Sequence, residues 1–138
     1  MQTVAEVRGA CASLPGSRET FPFGEQTLVM KVGGKIYALL ALDSEPLDLS
    51  LKCDPLRAEQ LRSQFEDVIP GYHLNKRHWN TLRLGGKLDA DLVSELLAHS
   101  YALVVASLTR EERATLHRSH PRQSGSKTPS PLPEQPVV

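Results

Sequence analysis

The first pattern along the chain is a short segment with helical spacing. Thr3 and Glu6 form a capping-box pattern. Apolar residues then recur every three or four positions, at Val4, Val7, Cys11 and Leu14. Pro15-Gly16 is a helix-ending pair, so the pattern predicts one N-terminal helix with Cys11 on its buried stripe.

A run of strand-like alternation follows. Residues 27–32 alternate with Leu28, Met30 and Val32 on one face, and Gly33-Gly34 is a strong two-residue hairpin signal. The return strand, residues 35–42, places Ile36, Ala38, Leu40 and Leu42 on one face. Residues 47–52 alternate again, with Asp48, Ser50 and Lys52 pointing away from the core. Residues 19–23 form a possible short edge strand in which Pro22 limits pairing.

The second half predicts further helices and a second hairpin. Asp54-Pro55 suits the start of a helix whose buried side is Ala58, Leu61 and Phe65. Residues 68–73 and 78–84 are typical of strands, with a turn at Gly85-Gly86. Asp89 caps a long helix that extends to about Ser107, and Thr109 with Glu112 allows a short final helix.

These elements predict an α+β fold, a two-layer sandwich of order α-β-β-β-α-β-β-α with residues 19–23 as an extra edge strand. Hairpin connections predominate, so the sheet should be mainly antiparallel with helices on one face. The other face would then be open to a partner. A chain of 138 residues suits one such domain.

Composition divides the chain near residue 116. Residues 117–138 are rich in proline and serine and lack an apolar period, which predicts a disordered tail after a domain spanning 1–116. The tail carries 3 − 1 = +2 charges and the domain 13 − 15 = −2. A generic nucleic-acid binder is clearly basic, so any polyanion site must be a local patch.

The cysteines and the N-terminus indicate the compartment. Cys11 and Cys53 are far apart and form no CxxC pair, which favours a reducing compartment and two buried structural thiols. The N-terminus lacks the features of a signal peptide, and the longest apolar run, residues 37–42, is too short to span a bilayer. We expect a cytoplasmic monomer without a membrane contact.

One window combines positive charge with the only tryptophan. No acidic residue occurs between Val68 and Leu88. The window contains His73, Lys76, Arg77, His78, Trp79, Asn80, Arg83 and Lys87. Basic groups suit phosphates and Trp79 could stack on a base, so a nucleic-acid-facing hairpin is one interpretation. An exposed loop above an aromatic anchor is the other.

Four motifs resemble the MmcQ/YjbR family in order and spacing. They are PFGEQTLVMKVGGKIYALLALD (22–43), LSLKCDP (49–55), PGYHLNKRHWNT (70–81) and HSYALV (99–104). The resemblance covers about residues 3–108. It implies a two-layer sandwich similar to the CyaY-like and secretion-chaperone-like arrangement.

The family is described as DNA-binding, through a "double wing" of hairpins, so the resemblance implies DNA as the partner. The matching positions are Lys76, Arg77, His78, Trp79 and Asn80, with Lys52, His73 and Arg83 nearby. The basic residues would contact phosphates, and Asn80 would be the candidate for a base edge.

Other functions stay open at this stage. A protein-interaction or chaperone-like module would use the open sheet face. The aromatic residues of Phe21–Glu25 would either plug one end of the core or line a cleft beside Trp79 and Lys52. Such a cleft, with Glu25, Lys52, His78 and Asn80, could bind a small anionic ligand. We predict no catalytic residue, no metal site and no cofactor, because no nucleophile–base pair or ligand set is visible.

Overall fold

A six-stranded antiparallel sheet forms one layer of the molecule and the helices form the other. The computed structural model describes residues 1–71 and 74–119. The elements are α1 (Val4–Ala12), β1 (Arg18–Thr20), β2 (Thr27–Val32), β3 (Lys35–Ala41), β4 (Leu47–Lys52), α2 (Pro55–Gln64), β5 (Val68–Pro70), β6 (Trp79–Leu84), α3 (Ala90–Ala106) and α4 (Arg110–Ser119). The strand order is β1-β2-β3-β4-β6-β5, and every neighbouring pair is antiparallel. The predicted α+β sandwich is confirmed.

The helix starts follow the caps read from the sequence. Thr3 and Glu6 form both bonds of the capping box on α1. Asp54 accepts a hydrogen bond from the Arg57 N–H at the start of α2, and Asp89 accepts one from the Asp91 N–H at the start of α3. Each cap satisfies a backbone donor that the first helical turn leaves unpaired.

The core lies between the helices and one face of the sheet. α3 packs across β2, β3 and β4, while α2 packs against β5 and β6. The inward side chains of β4 are Leu47, Leu49 and Leu51, as predicted, and all three are buried. Asp48, Ser50 and Lys52 alternate with them and therefore lie on the opposite face.

Tyr37 breaks the predicted alternation of β3. The register of β2 with β3 shifts between Met30 and Lys31. Tyr37 is the extra residue of this bulge and has no residue opposite it on β2. Tyr37 is fully buried, its ring meets Tyr101 edge-on at 5.4 Å, and its hydroxyl hydrogen-bonds Ser17. Burial raises the pKa of the Tyr37 hydroxyl. Ile36 is only half-buried, so its predicted core position is wrong.

Several element ends differ from the predictions. β1 ends at Thr20, before Phe21 and Pro22, and β6 begins one residue later than predicted, at Trp79. β5 ends at Pro70; Tyr72 and His73 lie outside the described residues. α4 continues past the predicted domain end at residue 116 to Ser119. Residues 120–138 also lie outside the described part, so the disordered tail stays a prediction.

Among residues 1–71 and 74–119, none of the helices has both the length and the apolar character that crossing a membrane requires.

Candidate functional site: two clefts beside the 74–78 loop

Backbone hydrogen bonds hold the loop formed by residues 74–78. The Leu74 N–H donates to Gly71 O at 3.3 Å, and the His78 N–H donates to Asn75 O at 3.2 Å. The Asn75 side chain accepts from the Arg77 N–H at 2.9 Å, which is typical of an Asx turn. The Cys53 N–H donates to His78 O at 2.8 Å and joins the loop to the end of β4.

Gly71 explains part of the Pro-Gly-Tyr-His motif. Its N–H donates to Trp79 O at 2.9 Å, so the two ends of the β5–β6 connection are paired. A Cβ at Gly71 would lie only 2.8 Å from the Cβ of Trp79. The chain therefore needs glycine here for a close backbone approach.

Asn80 lies in the interior, which corrects its prediction as a base-reading residue. Its side chain faces α2 and the residue is 2% exposed. Oδ1 accepts from Arg62 Nη1 at 2.8 Å, and Nδ2 donates to Ala58 O at 3.3 Å. Both polar ends of the amide are thus occupied, so Asn80 holds β6 to α2 instead of facing a nucleic acid.

A basic cleft lies between α2 and the 74–78 loop. It has a volume of about 530 Å³ and is lined by Pro55, Leu56, Glu59, Arg62, Lys76 and Arg77. Arg62 also donates to the carbonyl of Lys76 at 2.9 Å, which fixes the loop wall. Lys76 and Arg77 are exposed. Within the described residues, Arg77 has no side-chain hydrogen bond or ion pair.

The remaining predicted site residues do not form one cluster at this cleft. Lys52 lies opposite Trp79 at the end of β4, and both are half-buried on the open face. His78 is half-buried in the loop, while His73 lies outside the described residues. Arg83 is four residues along β6 from Trp79, roughly 13 Å away at strand spacing, so it does not join the cluster.

A second cavity, the open-face groove, lies on the sheet face away from the helices. Its volume is about 490 Å³, and it is lined by Phe23, Thr27, Leu39, Ala41, Asp43, Asp48, Ser50, Leu74 and Thr81. Ser50 and Thr81 lie opposite each other on β4 and β6, and their hydroxyls are 2.8 Å apart. The open sheet face therefore carries a groove to which three loops contribute.

The groove changes the interpretation of the Phe21–Glu25 segment. The expected plug of the core is wrong, because Phe21 is 50% and Phe23 is 66% exposed. A groove lies beside Phe23, but it is not the predicted anion cleft, because two aspartates line it and Trp79 does not. Phe23 faces Leu74 and the strand residues of the groove, whereas Lys52, His78 and Asn80 do not line it.

The described residues offer no reactive thiol. Cys11 and Cys53 are both buried, and burial raises the pKa of each thiol. A raised pKa leaves less thiolate at neutral pH, which is the nucleophilic form. No three His, Cys, Asp or Glu side chains cluster as metal ligands in the part of the chain that the structure describes.

The chain is similar to proteins of one family along most of its length. The family model named YjbR matches residues 12–103. Uncharacterized protein YjbR of Escherichia coli K12 is 33% identical over 114 residues, which cover 83% of this chain and 97% of that protein. Uncharacterized protein YbdF of Escherichia coli O157:H7 is 34% identical over 101 residues, or 72% and 82% of the two chains.

Two crystal structures have the same fold. Deinococcus radiodurans protein DR2400, with a DUF419 domain, is 46% identical and has a TM-score of 0.81, with 93% of this chain and 97% of that chain covered. A Pseudomonas syringae protein is 23% identical with a TM-score of 0.63, over 73% of this chain and 97% of that chain. The second likeness concerns the fold alone.

Proposed function

The chain belongs to the YjbR family, and we propose that it is a non-enzymatic DNA-binding protein that contacts duplex phosphates through the basic cleft. The observation that carries the proposal is the pair Lys76 and Arg77, exposed side by side at the wall of that cleft. Arg62 lines the same cleft, whereas Lys52 lies on the open face of the sheet and does not line it. Lysine and arginine side chains bind phosphate oxygens without reading sequence.

The small number of cations limits the expected affinity. The domain has a net charge of 13 − 15 = −2 over residues 1–116, and Glu59 lines the cleft together with the cations. About three phosphate contacts would give a logarithmic salt dependence with a slope near −2.7. We therefore expect weak binding that decreases about 40-fold when the salt concentration rises about fourfold.

Fluorescence anisotropy of a labelled duplex, titrated with the full chain at about 50 and about 200 mM salt, tests the proposal. The variant Lys76→Ala/Arg77→Ala should bind more weakly, and its salt slope should be smaller by about 1.8 because two contacts are lost. The matched control is Arg110→Ala/Arg113→Ala, which removes two exposed arginines from α4 and gives the same net charge.

The comparison of the two variants separates a site from a general charge effect. The basic cleft is supported if the control variant binds as tightly as the parent chain while Lys76→Ala/Arg77→Ala binds more weakly. Equal losses in both variants would mean that only net charge matters. No binding at the lower salt concentration would refute the proposal.

A further inference from the structure

We propose that the open-face groove binds a small organic cation, an ammonium group carried on an apolar body. This proposal is independent of DNA binding, because it concerns different residues on a different face. It rests on the floor of the groove, its charge and the pairing of the strands beneath it.

The floor of the groove suits an apolar body. Leu39 and Ala41 are outward-facing residues of β3, a position where a solvated antiparallel sheet usually carries polar residues. Ser50 and Thr81 lie beside them, and their hydroxyls hydrogen-bond to each other. The volume of about 490 Å³ lies within the range of small-molecule sites.

The charge of the groove selects a cation. Asp43 and Asp48 line it, and neither forms an ion pair with a described residue. Among the described residues, no lysine or arginine lines it, although Arg83 lies opposite Asp48 on β6. The exposed Phe23 forms one wall, and an aromatic ring beside carboxylates also favours an ammonium group.

The strands beneath the groove argue for a small ligand over a polypeptide. β3 lies between β2 and β4, and β4 lies between β3 and β6, so the sheet itself uses the backbone groups of these strands. A peptide lying across this floor would find no row of free N–H and C=O groups to pair with, and its own would be desolvated without partners. A ligand with one charged end avoids this cost.

Two-dimensional ¹⁵N–¹H NMR of the full chain, titrated with phenethylamine, tests the proposal. Phenethyl alcohol and hydrocinnamate are matched neutral and anionic probes with the same ring. We expect saturable shifts of the backbone amides of Leu39, Ala41, Asp48 and Ser50 with the amine. The alcohol should bind about tenfold more weakly, and the carboxylate should not bind.

Four variants locate the site. Asp43→Asn/Asp48→Asn should weaken phenethylamine about tenfold, whereas Glu59→Gln/Glu66→Gln, which removes two carboxylates elsewhere, should not change it. Phe23→Ala should also weaken binding. Because Phe23 is 66% exposed, the substitution should not impair folding. Arg83→Ala removes the cation opposite Asp48 and should strengthen binding.

Three results would overturn the proposal. They are equal affinity for the amine and the alcohol, unchanged binding in Asp43→Asn/Asp48→Asn, and shifts that map to another surface. The lysine side chain of a peptide carries the same ammonium group. N-acetyl-lysine methylamide that binds more tightly than phenethylamine would replace the small-ligand assignment with a peptide one.

Discussion

Asn80 lies within a basic segment, and its amide is nevertheless committed to the interior. The alternation of β6 places Asn80, Leu82 and Leu84 on the helix side, where Asn80 meets Arg62 and the carbonyl of Ala58. A buried amide with two partners costs free energy when it is removed, because the partners lose their bonds in a place that water does not reach. The residue therefore contributes to stability and to the position of the 74–78 loop.

The first prediction concerns this residue. Asn80→Ala should lower the free energy of unfolding by about 2 kcal/mol, since Arg62 and Ala58 O each lose a hydrogen bond. Urea denaturation followed by Trp79 fluorescence measures the change. Gln64→Ala, which removes an exposed amide at the end of α2, should remain within about 0.5 kcal/mol of the parent. Similar values for both variants would mean that the buried bonds contribute little.

The turn between β2 and β3 shows how one element constrains another. Gly33 and Gly34 both have positive φ, +58° and +79°. A Cβ on Gly33 would lie 2.7 Å from Cδ1 of Leu108, the buried residue between α3 and α4, whereas nothing lies within 4 Å of a Cβ on Gly34. Gly33 is therefore required both for the turn conformation and for the close contact with Leu108.

The second prediction compares these glycines. Gly34→Ala should cost about 1 kcal/mol, the strain of a left-handed alanine. Gly33→Ala should cost about 1 kcal/mol or more beyond that, because Leu108 must also move. Thermal and urea unfolding of the two variants provide the measurement. Equal costs would show that Leu108 adjusts freely.

The elements were predictable where a local signal specifies them. Caps at Thr3, Asp54 and Asp89 and the Gly33-Gly34 turn are local features, and each is present in the structure. The inward position of Tyr37 depends on a bulge between two strands, which neither strand encodes by itself. β1 ends at Thr20, and Phe23 in the following segment lines the open-face groove, a placement that the local sequence does not encode.

The junction of α2 and α3 makes the stability of the whole molecule depend on pH. His99 Nε2 accepts a hydrogen bond from the Asp54 N–H at 3.3 Å, which requires a neutral ring. Burial, with help from Arg57, lowers the pKa of His99 below 6.5, against opposing effects of Asp54 and Glu95. The unfolded chain therefore takes up this proton more readily, and stability falls as the pH drops below 6.5.

The third prediction tests this linkage. Between about pH 7.5 and about pH 5.5, the free energy of unfolding should fall further in the parent chain than in His99→Gln. The glutamine oxygen can still accept from the Asp54 N–H, and the other histidines are the same in both proteins. Urea unfolding at the two pH values gives the comparison. Parallel pH dependence would exclude His99 as the source.

In the whole molecule, the sequence showed the pair of cations at the basic cleft and missed the arrangement of the open-face groove. Lys76 and Arg77 are neighbours in the chain, so their cluster was visible in the sequence. The groove joins residues from four strands and three loops. The sequence feature that could have predicted the groove is the pair of apolar residues Leu39 and Ala41 at outward positions of β3. That feature becomes informative only when the pairing of β3 with β4 is known.

The two edges of the sheet have a consequence for how copies of the protein behave at high concentration. β1 and β5 are three residues long each, and β5 ends in Pro70. A short border strand offers few unpaired amides, and proline supplies none, so neighbouring molecules have little template on which to extend the sheet. The molecule can thus keep one face of its sheet uncovered by helices while its edges resist fibril-like stacking.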